Sequence, residues 1–266
     1  MPELPEVETI KRELEQAILN KKIVQVIIGN AKVIKEPNEK LFIKELENVS
    51  VQRIIRRGKL LIFELSSTKF LTIHLKMTGQ LIYPGSGQNS KVSFKFSDGS
   101  LLDFNDSRIF GELRIVKNWQ ELKFIRELGP EIFDLSLEQF KSILDNKKTR
   151  IKILLMDQKI ISGIGNLYAN EALFWAKIHP LRPANTLSLK EAEELFGAIK
   201  RVLSEAIKYG GSSVDQYVRL SGKPGDYARF HRVYNREGEP CYRCKSKIKR
   251  INVGGRGTYF CPHCQK

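Results

Sequence analysis

The four cysteines are Cys241, Cys244, Cys261 and Cys264, two Cys-x-x-Cys knuckles with sixteen residues between them. Thiolates spaced this way converge on one ion, and two such knuckles complete the tetrahedron that zinc prefers. With all four positions taken by sulfur the ion is structural, because a catalytic zinc keeps one position open. His263, inside the second knuckle, then has no vacancy to fill. No cysteine occurs elsewhere and the N-terminus lacks a secretion signal, so a disulfide framework is not expected. The same region is basic: residues 221–266 hold 11 Lys or Arg against 3 acids. Four thiolates and one divalent ion sum to −2, which leaves this module at about +6 for phosphates. At the other end the chain reads MPELPEVETI, an acidic run in a protein of net charge +15. Pro5, Glu6 and Glu8 are ordinary helix-start chemistry, with proline at a first helical position and carboxylates at the positive end of the dipole. Pro2 and Glu3 precede that helix and are left without a structural reason.

The elements that must hold these residues follow from periodicity. Val7, Ile10, Leu14, Ala17 and Ile18 mark one face of a helix after Pro5. From Lys22 to about Val116 the pattern changes to short β-rich runs: Ile23–Ile28, Leu60–Leu65, Leu71–Met77, Val92–Phe96 and Leu113–Val116. Leu71, Ile73 and Leu75 alternate with Thr72, His74 and Lys76, so one face is expected buried and the other polar. Pro84-Gly85-Ser86-Gly87 and Asp98-Gly99 are turn signals, and the region reads as an antiparallel β-sandwich. From Gly129-Pro130 onward the chain is helical. Ser136-x-x-Gln139 and Ser188-x-x-Glu191 read as capping boxes, and the second helix stops at Gly210-Gly211. Between them SGIGNLYANEALFWAKIHP reads as a glycine turn and an amphipathic helix, whose start is either a phosphate cradle helped by Asn166 or a plain turn. A polar stretch, Ser212–Tyr227, leads to the cysteine module.

Six segments stand in order along the whole chain: PELPEVE at 2–8, RRGKLL at 56–61, HLKMTG at 74–79, DSRIFG at 106–111, SGIGNLYANE at 162–171 and GGRGTYFCPHC at 254–264. Together they resemble the segments of bacterial formamidopyrimidine-DNA glycosylases. The resemblance implies an α+β multidomain protein: an N-terminal β-sandwich with a flanking helix over 1–128, a helix–two-turn–helix domain with a lesion loop over 129–226, and a zinc finger over 227–266. It implies a bifunctional glycosylase and abasic-site lyase that removes oxidised purines. Removal of Met1 would free the secondary amine of Pro2, and an α-amino group of pKa about 7.7–8.0 keeps a useful neutral fraction near neutrality. That amine attacks the sugar C1′ and forms a Schiff base. Glu3 resembles the acid that protonates the deoxyribose ring oxygen, and Glu6 supports the same site. Lys59 resembles a residue near the scissile phosphates that takes part in β-elimination, and Arg256 one that grips phosphate and is assigned to δ-elimination. His74, Asn166 and Tyr234 resemble further phosphate contacts, and Lys147 a backbone contact. Met77, Arg108 and Phe110 resemble the wedge that fills the gap left by an extruded nucleotide, with Arg108 on the orphan cytosine. Lys152 resembles a lysine placed near the lesion, and Ser212–Tyr227 the loop that closes over the flipped base.

The chain departs from the family pattern at three places. Gln88-Asn89-Ser90-Lys91 stands where relatives often carry a His-containing stretch, so a phosphate contact there is either missing or taken over by Asn89 or Lys91. Ile109 replaces a basic residue common in the wedge motif, and Asn235 a glycine. Two other functions fit part of the sequence: a zinc-ribbon nucleic-acid binder without catalysis, which leaves Pro2, Glu3 and Lys59 unexplained, and an endonuclease VIII-like glycosylase for oxidised pyrimidines. The expected partner is damaged double-stranded DNA, bound by a monomer in the bacterial cytoplasm with one structural zinc. No apolar run reaches membrane-spanning length.

Overall fold

In the computed structural model, which describes all 266 residues, the first helix, α1 (Leu4–Ile18), begins one residue before Pro5. Pro5 is therefore the second helical residue, where its missing N–H costs nothing, and Glu3 is the N-cap. The apolar stripe Val7, Ile10, Leu14 and Ile18 is buried, each side chain contributing about 1.5–3 kcal/mol. It packs on two strands of the first of two compact units, residues 1–126 with 207–228.

That unit is a two-sheet sandwich. After β1 (Ile23–Ile28) come β2 (Ile34–Glu36), α2 (Glu39–Leu46), β3 (Val51–Arg57), β4 (Leu60–Leu65), β5 (Phe70–His74), β6 (Gly79–Ile82), β7 (Val92–Phe96), β8 (Leu101–Asp106), β9 (Glu112–Val116) and the short α3 (Lys123–Arg126). One sheet has the order β1-β7-β8-β6, the other β2-β9-β5-β4-β3, and every pairing is antiparallel except β2 with β9. Phe63, Leu71 and Ile73 meet Phe94, Phe96 and Phe104 in one core with α1 and α2. Three expectations are corrected here. α2 interrupts the β region. The strand from Leu71 stops at His74, so Met77 lies in a turn. Thr72, expected on a polar face, is 1% exposed, because β5 is central in its sheet and covered on both sides.

The second unit gathers residues 127–206 and 229–266. Its helices are α4 (Leu137–Asp145), α5 (Ile151–Met156), α6 (Asn166–Trp175) and α7 (Leu189–Lys208), followed by the hairpin β10 (Lys249–Val253) and β11 (Arg256–Phe260). Both capping boxes form: Gln139 N donates to Ser136 Oγ at 3.2 Å and Glu191 N to Ser188 Oγ at 3.3 Å, with the return bonds at 2.9 Å each. α6, expected to be amphipathic, is instead buried from Leu167 to Phe174 and forms the centre of the unit. The hairpin turns on Gly254 and Gly255 alone, both at positive φ, a two-residue turn that suits glycine.

Candidate active site

The chain start is drawn into the structure. Pro2 and Glu3 are buried while Met1 is exposed. Glu3 N donates to Glu6 Oε2 at 2.8 Å, and the other oxygen of Glu6 accepts from Ser212 N at 2.9 Å. A Cβ on Gly211 would come within 3.0 Å of Glu6 Oε1, so glycine is needed for this approach. Glu3 and Glu6 thus have a structural task at the helix start as well as any chemical one. Further along α1, Glu8 accepts from Arg12 at 2.8 Å and from Arg56 at 3.0 Å. Burial alone would raise the Glu8 pKa, but these two guanidiniums outweigh it and hold the carboxyl below its ordinary value. Arg56 also donates to Gly58 O, bracing the β3–β4 turn that carries Lys59. Lys59 itself is 8% exposed rather than solvated.

His74 closes β5 with Nδ1 accepting from Lys76 N at 3.0 Å and its ring edge-on to Phe124. Burial, with the Lys76 charge beside it, pulls its pKa down to about 3 against the opposing pull of Glu112. The imidazole is neutral, with its proton on Nε2, so what it can offer a ligand is a neutral donor. Met77 and Phe110 are 42% and 49% exposed, unusual for such apolar side chains. Arg108 lies between them, its guanidinium 3.4 Å from Met77 Sδ and 4.6 Å from the Phe110 ring centroid. Ile109, in the same loop, has φ 58°. A left-handed β-branched residue costs on the order of 1–2 kcal/mol, here offset by its side chain packing on the sandwich core. Asn89, also at positive φ, is exposed on a loop held by buried Asp103, which accepts from Gly87 N at 2.8 Å and Ser93 Oγ at 2.5 Å.

In the second unit Asn166 opens α6 after the turn at Gly163. Its Nδ2 donates to Gly257 O at 3.1 Å, and its Oδ1 is buried without a partner. Lys152 is wholly buried beneath the β10–β11 hairpin, with Nζ donating to Asn170 Oδ1 at 3.0 Å and Thr258 Oγ1 at 2.9 Å. Arg256 and Lys147 are exposed. Tyr234 meets His231 and Tyr259 edge-on. Its backbone is gathered by Glu171, a wholly buried carboxylate that accepts from the amides of Arg232, Val233 and Tyr234 at 2.8, 3.0 and 2.8 Å. Burial raises the Glu171 pKa against those three bonds. Sequence reasoning passed over Glu171, though it lies in a quoted segment, because a glutamate in a helix signals solvent.

The four cysteine Sγ atoms all lie within 4.8 Å of one another, with Cys241–Cys264 at 4.0 Å and Cys244–Cys261 at 3.4 Å. Zn–S bonds of about 2.3 Å require tetrahedron edges of roughly 3.8 Å, so the set fits one zinc ion. Arg243 N and Cys264 N lie 3.4 Å from Cys241 Sγ and Cys261 Sγ, where they offset thiolate charge. Arg243 also donates to the carbonyls of Phe174 and Trp175, tying the knuckle to the end of α6.

The profile of the formamidopyrimidine-DNA glycosylase N-terminal domain matches residues 1–113, that of the family's H2TH domain residues 128–218, and that of the zinc finger found in FPG and IleRS residues 238–266. The chain belongs to the formamidopyrimidine-DNA glycosylase family. The formamidopyrimidine-DNA glycosylases of Solibacter usitatus and Mycoplasma mobile are 41% and 39% identical to it, covering 100% of this chain and 100% and 99% of theirs. MutM (FPG) from Thermus thermophilus superposes with a TM-score of 0.89 at 36% identity, over 99% of this chain and 98% of that one. A Lactococcus lactis FPG mutant in complex with Fapy-dG-containing DNA gives 0.91 at 36% identity, over the whole of both chains. The glycosylase family's three modules are thus all present, and the zinc is one structural ion held by Cys241, Cys244, Cys261 and Cys264.

Proposed function

We propose that this protein excises oxidised purines, formamidopyrimidines and 8-oxoguanine, from duplex DNA and then cleaves the strand by β,δ-elimination. Family membership makes it a DNA glycosylase of base excision repair; the substrate and the Schiff-base route are our reading. The observation that carries it is the buried Pro2–Glu3 pair at the start of α1, with Glu6 joining Glu3 N to Ser212 N. With Met1 removed, the neutral Pro2 nitrogen attacks C1′, the C1′–base bond breaks, and the base leaves with the proton that the Pro2 nitrogen gives up. Glu3 protonates the ring oxygen O4′ as the sugar opens, so the electron pair of the C1′–O4′ bond leaves on a neutral hydroxyl. The resulting iminium acidifies C2′–H. Loss of that proton expels the 3′ phosphate and a second elimination expels the 5′ phosphate, after which water releases Pro2.

Lys59, in the turn braced by Arg56, is our assignment for the first elimination, and exposed Arg256 at the hairpin tip serves the second. Lys147, Asn89, His74, Asn166 and Tyr234 are assigned to the backbone; Met77, Arg108 and Phe110 to the space the base vacates. Zinc, when bound, supplies no chemistry beyond holding the hairpin that bears Arg256. We infer further that the enzyme works as a monomer in the bacterial cytoplasm; no helix is long and apolar enough to cross a membrane. Borohydride trapping on a duplex with 8-oxoguanine opposite cytosine tests the central claim. A covalent adduct is expected from protein lacking Met1 and none from protein verified to retain it. Full trapping by the uncleaved form refutes Pro2 as nucleophile.

A further inference from the structure

Asp106, the last residue of β8, is 2% exposed, yet neither a sheet ladder nor an ion pair calls for a carboxylate there. Its side chain gathers two loops. Oδ1 accepts from Thr78 Oγ1, in the turn that carries Met77, and from Arg108 N at 3.1 Å. Oδ2 accepts from Gly111 N at 2.6 Å, on the far side of Phe110. Thr78 Oγ1 is itself 3.3 Å from Arg108 N, so the two loops share one polar centre. The fit is close at both ends. A Cβ on Gly111 would meet Phe104 Cζ at 2.4 Å and Asp106 Oδ2 at 3.0 Å, and one on Gly79 would meet Leu75 O at 2.5 Å. Between the two anchored amides the backbone passes through Ile109 at φ 58°, a conformation an isoleucine does not hold unaided.

We propose that Asp106 is a positioning residue that clips the Met77 turn and the Arg108–Phe110 loop into one preformed wedge. The proposal rests on reading those three side chains as the wedge. A carboxylate suits the task because it offers acceptors in two directions and no donor, against three donors from two loops. The three side chains are then presented together in the free protein. Insertion into the stack does not have to order them first, which lowers its entropic cost. Asp106 touches no substrate atom in this scheme and acts only through the side chains it orients.

The test pairs a duplex with a single strand. Asp106→Asn exchanges an acceptor for a donor facing a donor, and Thr78→Val removes one arm of the clip with little change of shape. With a duplex holding an abasic analogue and 2-aminopurine beside the orphan base, the intact enzyme should give a fluorescence rise as the stack opens. Asp106→Asn should lose most of that rise and excise 8-oxoguanine from duplex about 10- to 100-fold more slowly, the scale of small misplacements. Thr78→Val should fall between, and carries the test if Asp106→Asn fails to fold. Trapping on an abasic single strand, which has no stack to open, should stay near wild type for both. Wild-type fluorescence and excision in the folded variants overturn the proposal, and so do equal losses on duplex and single strand, which would mark a merely structural residue. Arg108→Ala separates the two claims: if it leaves the fluorescence rise intact, the wedge reading itself is wrong.

Discussion

Glu3 is the N-cap of α1 and, in the mechanism we propose, the general acid, and one substitution can separate the two tasks. As N-cap of α1 it needs only an acceptor, while as general acid it needs a proton to give. Glu3→Gln keeps the shape and the acceptor, so the helix start should survive with little loss; removing a cap altogether costs about 0.5–2 kcal/mol. Excision of 8-oxoguanine should nevertheless fall by at least about 10²-fold, the lower range for one general acid. A preformed abasic site needs less help, because its ring already equilibrates with an open aldehyde, and should still be trapped and cleaved. Single-turnover rates on matched duplexes check this, and equal losses in the two assays would remove the distinct role. His74 gives a second expectation. Its folded pKa of about 3 lies below the ordinary 6.5, so the unfolded chain binds the extra proton first. Its contribution to stability is complete above pH 6.5 and is lost as pH falls towards 3. Between pH 5.5 and 7.5 the folded imidazole stays neutral, and DNA affinity of the wild type and of His74→Gln should change with pH in parallel. A wild-type affinity that rises on acidification while the variant's does not would show a charged contact.

The α6 helix shows how much an element can hide. Glu171→Ala would leave the three amides at 232–234 without an acceptor, the buried one of Val233 costing about 1–3 kcal/mol. The variant should unfold at markedly lower denaturant and lose the Tyr234 contact, while Glu171→Gln, which keeps one acceptor oxygen, should lose less. Denaturant melts followed by far-UV signal distinguish them. Elements marked by a helical period or by a short apolar run were legible beforehand: α1, β1, β4 and β7 lie where the apolar residues put them, and both capping boxes formed. Others were masked by charge. β3 reads VQRIIRR because it is an edge strand whose Arg53 is exposed while Arg56 turns to Glu8, and β8 reads LLDFND because Asp103 and Asp106 turn inward to organise loops. The cysteines were legible as types at a spacing, whereas Met77, Arg108 and Phe110 were singled out only through the family resemblance. The commitment of Lys152 was not, since its partners Asn170 and Thr258 lie 18 and 106 residues away.

For the molecule as a whole, charge and zinc predict how binding fails. Each phosphate contact contributes about −0.9 to the slope of log affinity against log salt, so duplex binding by the intact enzyme should fall steeply with salt. Cys244→Ser opens the sulfur shell, loosens the hairpin that bears Arg256, and should weaken duplex binding while the sandwich keeps its own unfolding transition. Unchanged affinity and a flat salt response would refute this assignment of the zinc. The chain also crosses between its two units three times, since residues 207–228 return to the first after α7. Glu6 waits for the amide of Ser212, 206 residues later, and Glu13 for Arg219 and Leu220. At about 5–20 residues per second on the ribosome, that wait lasts roughly 10–40 s. For the later part of that interval, once residue 126 has been made, the N-terminal sandwich waits with Glu6 and Glu13 of α1 still lacking their partners from 212–220. It is then at its most exposed to chaperones and proteases, and the surroundings of the chain start are completed only late in synthesis.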